Sequence, residues 1–155
     1  MRITLSQLRE ADACEDQYNL FQEKFGEYVD VTTHLCMIHA QDFDWQFAAD
    51  HFLTGPAIRA YNERITHAIK AYDEDLNAAW RDLHMVDVSL REACNEMIST
   101  APTEIMNEIR AIAQEIYEKE TERAHYRCMR KESMALHIFN HKAAIAFANA
   151  AALVK

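Results

Sequence analysis

Residues that interrupt regular structure are scarce in this sequence. Its 155 residues include two glycines, Gly26 and Gly55, and two prolines, Pro56 and Pro102. Because glycine and proline mark most turns and loops, so few of them require long regular elements. The residues between these breakers are mostly Ala, Leu, Glu, Arg, Met and Ile, which favour helices over strands. The sequence therefore predicts an all-α fold.

Long hydrophobic runs are also missing. No segment approaches the roughly 20 apolar residues that a membrane helix requires, and the amino terminus has no apolar run of signal-peptide length. We therefore expect a cytoplasmic protein without membrane contact. The four cysteines lie far apart, with no Cys-x-x-Cys pair, so we interpret them as small core residues in a reducing compartment. They are Cys14, Cys36, Cys94 and Cys128.

Basic residues are scarce in the first third of the chain. Residues 1–55 have ten acidic and three basic side chains, a net charge of −7, whereas residues 56–101 sum to −3 and residues 102–155 to +1. An acidic surface repels phosphate groups, which argues against direct nucleic-acid binding. Such a surface could instead dock on a basic protein partner.

Three breaks divide the chain, at Gly26, at residues 54–56 and at residues 99–103. They predict a compact acidic helical module over residues 1–55, packed on a long antiparallel helical hairpin over residues 56–155. The turn of the hairpin is expected near residues 99–103.

Local signals specify parts of the module. Residues 3–5 and 29–32 are β-prone and predict a minimal two-stranded ribbon. The stretch 12–15 has an Asp and a Glu three residues apart, which resembles a capping box, and Gly26 is placed to end the helix that follows. Asp44 is placed to cap another helix. The inner face of that helix is expected to carry Trp45, Ala48, Ala49 and Phe52.

The hairpin is predicted from an eleven-residue near-repeat, residues 59–69 and 70–80. Eleven residues make almost a whole number of helical turns, so this repeat predicts one long helix with a continuous stripe. Ser89 and Glu92 have capping-box spacing, which could bend or restart that helix. After Pro102 nothing breaks the helical pattern for some fifty residues.

Antiparallel pairing around the turn places residue i roughly opposite residue 202 minus i. It brings the acidic residues 73–75 near the basic residues of 127–131, and Arg81 near the acidic residues of 118–122. The last helix also carries a second apolar stripe, turned by about 100° from the first, that two helices alone cannot cover. We expect the module or a second subunit to cover it, and predict a homodimer. The second stripe comprises Met129, Leu136, Ala143 and Phe147.

A pattern of apolar and aromatic positions runs through residues 3–75. It comprises Ile3-Thr4, Leu8, Ala13-Cys14, Gln17, Phe21, Phe25-Gly26, Val29, Val31-Thr32, Cys36, Phe43-Asp44-Trp45, Ala48-Ala49, Leu53 and Ala60-Tyr61. This pattern resembles a small helical module that recurs in proteins encoded by tailed phages and prophages. The resemblance implies a phage setting and no particular reaction, because the module has no assigned activity. Such sequences often carry an acidic residue where this chain has His34.

The stretch 34–52, HLCMIHAQDFDWQFAADHF, raises the question of a metal site. On a helix, Cys36 and His39 are close enough to share an ion. A tetrahedral zinc site would need two further ligands, and the candidates are Cys14, Asp42 and His51. Solvated or hydrogen-bonded histidines are the simpler interpretation, so we predict no metal here.

The last helix holds two further pairs at chelating spacing, His125 with Cys128 and His137 with His141. They lie about 14 Å apart along the helix and cannot share one ion. Antiparallel pairing would place His67 near the second pair. A metal-binding helical protein is therefore one alternative function.

Sequence signatures of catalysis are missing. There is no Gly-x-Ser-x-Gly and no phosphate-cradling glycine loop, and the single Glu-x-x-His lacks the second copy that a di-iron bundle needs. We predict a protein that is not an enzyme, with no catalytic residue and no cofactor.

The interpretation that remains is a non-enzymatic phage or mobile-element protein that binds a host protein or protein complex. Inhibition of a host defence system is its most specific version, and a structural or oligomerisation component of a phage is a further alternative. The candidate partner-binding residues are the polar side chains expected on the outside of the module, together with the second stripe. They are His34, His39, Asp42, Asp44, Asp50, His51, Met129, Leu136 and Phe147.

Overall fold

The computed structural model describes residues 1–154 and is built almost entirely of helices. The predicted all-α fold with a long antiparallel hairpin is confirmed. A 3₁₀ turn, Thr103–Ile105, opens the last helix. In chain order the elements are β1 (Arg2–Thr4), α1 (Leu5–Glu10), α2 (Glu15–Phe25), β2 (Tyr28–Asp30), α3 (Thr33–Ile38), α4 (Trp45–Phe52), α5 (Pro56–Ser99) and α6 (Met106–Ala151).

The chain forms two compact units. Residues 1–71 and 136–154 make the first, and residues 72–135 make the second. The long helices α5 and α6 each contribute to both units, so the division does not follow the break at residues 54–56. No helix within residues 1–154 combines the length and apolar character that crossing a membrane requires.

The predicted ribbon is present in the first unit. Strands β1 and β2 pair antiparallel, with Ile3 opposite Val29. Thr4 ends β1 and caps α1, because its side chain accepts a hydrogen bond from the Gln7 amide while the Gln7 side chain accepts one from the Thr4 amide. Gly26 ends α2 with a φ of 73°, a left-handed conformation that glycine adopts without strain.

The predicted capping box at residues 12–15 is wrong. Asp12 lies in a turn with a φ of 56°, and the cap of α2 is Cys14, which makes no side-chain capping hydrogen bond. The tight connection between α1 and α2 needs a left-handed residue, and Asp12 supplies it. The predicted cap at Asp44 is confirmed, because its Oδ1 accepts a hydrogen bond from the Phe47 amide at 2.9 Å.

The carboxyl-terminal end of α6 forms the centre of the first unit's core. Its side chains from 143 to 151 are buried on nearly every face, and most of them are alanine, which allows neighbouring elements to approach closely. Phe147 is completely buried, and its ring centroid lies 5.6 Å from that of Trp45. The assignment of Phe147 to a partner surface is therefore wrong, because the amino-terminal module covers this part of the second stripe.

The second unit is a plain two-helix hairpin with a small core. That core comprises Ala79, Leu83, Ala124 and Cys128. The observed pairing of α5 with α6 is shifted by about five residues from the predicted register. The prediction places Cys94 opposite residue 108, but its Sγ donates a hydrogen bond to the carbonyl oxygen of Ala113 at 3.3 Å. The connection between the helices includes the 3₁₀ turn, so its midpoint lies later in the chain than assumed.

One ion pair across the hairpin differs from the predicted pairing. Lys131 pairs across the helices with Asp82 at 2.6 Å, several residues from the predicted acidic stretch 73–75. Helix α5 continues through Ser89 without a break, so the capping-box spacing there does not restart it.

Candidate partner-binding surface

The outward side of helix α3 is the candidate functional surface of the first unit. Thr32 caps this short helix by accepting a hydrogen bond from the Leu35 amide at 3.2 Å. Cys36 points into the core and is fully buried. The opposite side carries His34, Met37 and Ile38, and we call these three residues the α3 face. Met37 is 43% exposed and Ile38 is 62% exposed.

A network of side-chain amides holds the turn after α3. The Gln41 side chain donates to the carbonyl oxygen of His137 at 3.0 Å and accepts from the Asn140 amide group at 3.0 Å. On the other side of the turn, Gln17 donates to the carbonyl oxygen of Asp42 and accepts from the Asp44 amide. These bonds connect the turn to α2 and α6, so the α3 face is presented from a fixed segment.

Sequence reasoning missed both glutamines. Gln17 lies within the resemblance pattern and Gln41 lies in the histidine-rich stretch, but no local pattern indicates which backbone carbonyl a glutamine will reach. Their partners are 25 and 96 residues away. Such contacts depend on the tertiary fold.

His39 and Asp42 pair with each other. The His39 Nδ1 lies 2.7 Å from an oxygen of Asp42, and the His39 ring packs edge-on against Phe25. His39 is half-buried, so this pair joins the polar turn to the aromatic core. Both residues lie in the turn that directly follows the α3 face, and their contact stabilises that turn.

The other predicted site residues have separate places. His51 lies on α4 with its ring stacked on Phe47 and its Nδ1 2.9 Å from the Phe47 carbonyl oxygen. Asp50 is exposed and accepts a hydrogen bond from Gln46. Leu136 is exposed in the first unit, whereas Met129 is exposed in the second.

The candidate metal-binding pairs are not part of a larger group of ligands in the described residues. Within residues 1–154, no three His, Cys, Asp or Glu side chains are grouped so that they could hold one ion. Burial raises the pKa of the Cys36 thiol to about 12, which disfavours the thiolate that a metal needs. His137 and His141 stack on one another with ring centroids 6.1 Å apart.

The cavity beneath α3 is small and apolar. It has a volume of about 50 Å³ and is lined mostly by apolar side chains, including the aromatic residues Phe21, Phe43 and Trp45. Ligand pockets for small molecules commonly have volumes of roughly 300–1,000 Å³. This cavity is therefore a packing void of the core.

A polar groove of about 400 Å³ runs along one side of the second unit's hairpin. Its polar groups pair with one another: the Tyr117 hydroxyl donates to Asp87 at 2.6 Å, and Arg91 contacts the same carboxylate at 3.0 Å. The hydrogen bond from Tyr117 is the main reason that the pKa of Asp87 is lowered. The groove therefore has no unpaired charge among these three residues.

The architecture defines a helical protein in which short elements enclose the end of a long helical hairpin. Neither a protein-family model, nor a curated protein, nor a solved structure matches this chain. The resemblance of residues 3–75 to phage modules stays a prediction.

Proposed function

We propose that this protein is a non-enzymatic binding protein that uses the α3 face to occupy the surface of another protein. The observation that carries the proposal is the exposure of Met37 and Ile38, two adjacent large apolar residues, on a short helix whose following turn is held by hydrogen bonds to α2 and α6. Interface cores are enriched in apolar residues such as Met and depleted of charge. A fixed face also loses little conformational entropy when it binds.

The setting of this function follows from the sequence resemblance alone. The proposed partner is a host protein or protein complex in the cytoplasm of a cell that carries the phage or mobile element. Inhibition of a host defence system is the most specific form of the proposal. Direct nucleic-acid binding by the α3 face is disfavoured by the net charge of −7 over residues 1–55.

Affinity capture from host lysate tests this proposal. We expect the wild-type chain to retain a stoichiometric partner and the double variant Met37→Ser, Ile38→Ser to lose it. Leu153→Ser is the matched control, because Leu153 is also an exposed apolar residue of the first unit. If no partner is retained, or if both variants retain it equally, the proposal fails.

A separate observation favours a second role, homodimerisation through the hairpin. The second unit exposes several large apolar residues although its own core is small. The proposed function therefore includes a homodimer formed by the second unit. Light scattering that shows a concentration-independent monomer would contradict this part of the proposal and leave partner binding by the α3 face untouched.

A further inference from the structure

The polar groove along the second unit's hairpin has the size of a binding site for a small molecule. Its volume of about 400 Å³ lies within the roughly 300–1,000 Å³ that is common for ligand pockets. Both of its walls are long helices, α5 and α6, and all of its lining residues belong to the second unit. We call it the Trp80 groove, and its lining includes Trp80, Asp87, Arg91, Tyr117 and Thr121.

Contacts between the two helices fix the order of these residues along the groove. Tyr117 of α6 donates to Asp87 of α5 and accepts from the Arg91 Nε at 3.3 Å, so these three residues form one end. Trp80 precedes Asp87 by two helical turns, which is roughly 11 Å along α5. Because the helices are antiparallel, Thr121 lies between the two ends. The groove therefore has an aromatic end and a polar end.

Trp80 provides a flat apolar surface at the aromatic end. It is 53% exposed, whereas tryptophan is highly buried on average in folded proteins. Exposed aromatic rings are the side chains on which proteins stack nucleic-acid bases, because every base has an aromatic face of its own. The aromatic end therefore suits a planar ring.

The polar end carries no net charge. The Asp87 carboxylate accepts from Tyr117 at 2.6 Å and contacts Arg91 at 3.0 Å, so its negative charge is already paired. A phosphate would need an unpaired cation here, and an ammonium group would need an unpaired carboxylate. A carboxylate has about four acceptor positions, so Asp87 can still accept from the hydroxyl groups of a neutral ligand. Acidic side chains accept from ribose hydroxyls in this way in dinucleotide-binding proteins.

Thr121 brings a hydroxyl group that lacks a partner. Its Oγ1 is buried and has no hydrogen-bond partner within residues 1–154. Buried polar groups are nearly always hydrogen-bonded, so an exception requires an explanation. Threonine adopts two χ1 rotamers in helices, and this hydroxyl can therefore turn to meet the edge of a ligand.

A second groove of the hairpin does not share these features. Its volume is similar, about 390 Å³, but its lining includes aliphatic side chains such as Met85 and Val86. Its Asp82 and Lys131 pair with each other at 2.6 Å. Its described lining residues include neither an aromatic ring nor a buried polar atom without a partner. An exposed ring, a neutral polar end and an unpartnered hydroxyl occur together in the Trp80 groove.

We propose that the Trp80 groove binds a nucleoside, with its base stacked on Trp80 and its ribose hydroxyls donating to Asp87. The roughly 11 Å between the two ends matches the length of a base with its sugar. Thr121 lies where it can contact the base edge or the sugar. This inference goes beyond the proposed function and uses no residue of the α3 face.

Nuclear magnetic resonance titration of the labelled full chain tests the ligand class, with adenosine, guanosine, cytidine and uridine as probes. We expect at least one nucleoside to bind and to shift amides around the groove. Methyl glucoside is the control, because it has hydroxyl groups and no aromatic ring. If none of the four nucleosides binds at millimolar concentration, or if methyl glucoside binds as tightly, the proposal is overturned.

Two derivatives of the tightest nucleoside test its orientation. The 2′-deoxynucleoside should bind more weakly, because it lacks a hydroxyl group that donates to Asp87. The 5′-monophosphate should bind no more tightly than the nucleoside, because the polar end has no unpaired cation among Asp87, Arg91 and Tyr117. Equal binding of the deoxynucleoside, or tighter binding of the monophosphate, contradicts the assignment of the ribose to the polar end.

The variant Trp80→Ala should weaken nucleoside binding roughly tenfold or more, through loss of stacking. Met85→Ala is the matched control, because Met85 is a 61% exposed apolar residue of the same helix outside the groove. Thr121→Val should weaken binding roughly two- to tenfold. It should not lower the melting temperature of the free protein, because the hydroxyl it removes has no partner within residues 1–154. Equal affinities of Trp80→Ala and Met85→Ala overturn the site, and unchanged affinity in Thr121→Val removes Thr121 from it.

Iodide quenching of tryptophan fluorescence distinguishes this proposal from the homodimer. Trp80 is exposed and Trp45 is buried, so quenching reports on Trp80. Quenching should fall when the nucleoside is added and should not change with protein concentration in its absence. If quenching falls with protein concentration alone, a second copy covers Trp80, which supports the homodimer and overturns the nucleoside site.

Discussion

At the scale of single residues, Phe147 shows how a surface assignment from sequence can reverse. The sequence places it on a second stripe of α6 that the module or a second subunit would cover, and assigns it to a partner surface. Short elements of the first unit cover the carboxyl-terminal part of that stripe, and Phe147 is completely buried beside Trp45. A helical pattern identifies which residues share a side. It does not identify what covers that side.

The variant Phe147→Ala should destabilise the protein by roughly 3–5 kcal/mol, because it removes a buried ring and leaves a cavity in a close-packed core. Urea unfolding followed by circular dichroism measures this loss. Leu136→Ala changes an exposed residue of the same helix and should alter the free energy of unfolding by no more than about 0.5 kcal/mol. Equal losses for the two variants would contradict the central place of Phe147.

Cys36 should be chemically inert in the folded protein. Burial raises the pKa of its thiol from 9.0 to about 12, and the thiolate is the reactive form. Iodoacetamide at about pH 8 should therefore modify the exposed Cys14 and spare Cys36 until denaturant is added, as peptide mass spectrometry would show. Equal modification of both thiols in the folded protein would contradict this.

The same pKa shift has a consequence for stability. Because the folded-state pKa of Cys36 lies above the unfolded value, the stability linked to its neutral thiol is fully present below about pH 9. That stability is lost as the pH rises from 9 towards 12. Urea unfolding measured from pH 9 towards pH 12 tests this. The free energy of unfolding should fall less with pH in Cys36→Ala than in the wild type, because the variant has no thiol at this position to ionise.

At the scale of elements, the sequence predicts boundaries better than it predicts registers. Gly26 ends α2 and Asp44 caps α4, as predicted. Gly26 acts through its own backbone conformation and Asp44 acts through the amide of Phe47, so both signals are local in sequence. The register of the hairpin differs from the prediction because it depends on the conformation of the connection after Ser99. The α3 face depends on Gln17 and Gln41, whose partners are distant in sequence.

The carboxyl-terminal end of α6 is rich in buried alanines, because the surrounding elements pack too closely for larger side chains. Ala144 is completely buried, whereas Ala152 lies just past the helix and is exposed. Ala144→Leu should therefore destabilise the protein by about 1–3 kcal/mol through overpacking. Ala152→Leu adds the same atoms where there is space and should have little effect. Thermal unfolding of the two variants compares them, and a neutral Ala144→Leu would show that the core can expand.

At the scale of the whole molecule, the breaks in the sequence and the compact units do not coincide. The break at residues 54–56 separates short helices from long ones, and it is a real boundary between elements. The units divide elsewhere because one long helix can serve two cores: α5 buries Ala57, Tyr61, Ile65 and Ala68 in the first unit, and Ala79 and Leu83 in the second. Glycine and proline mark where a helix stops, and they carry no information on where a core stops.

This division predicts that protection from hydrogen exchange changes along a single continuous helix. Amides of α5 over residues 60–70 should exchange more slowly than those over residues 88–98, because local opening is opposed by buried apolar contacts, which are more numerous in the first unit's core. Mass spectrometry of exchanged peptides measures the difference. Uniform protection from residue 60 to residue 98 would mean that α5 opens as one cooperative unit, and that its two cores are energetically a single one.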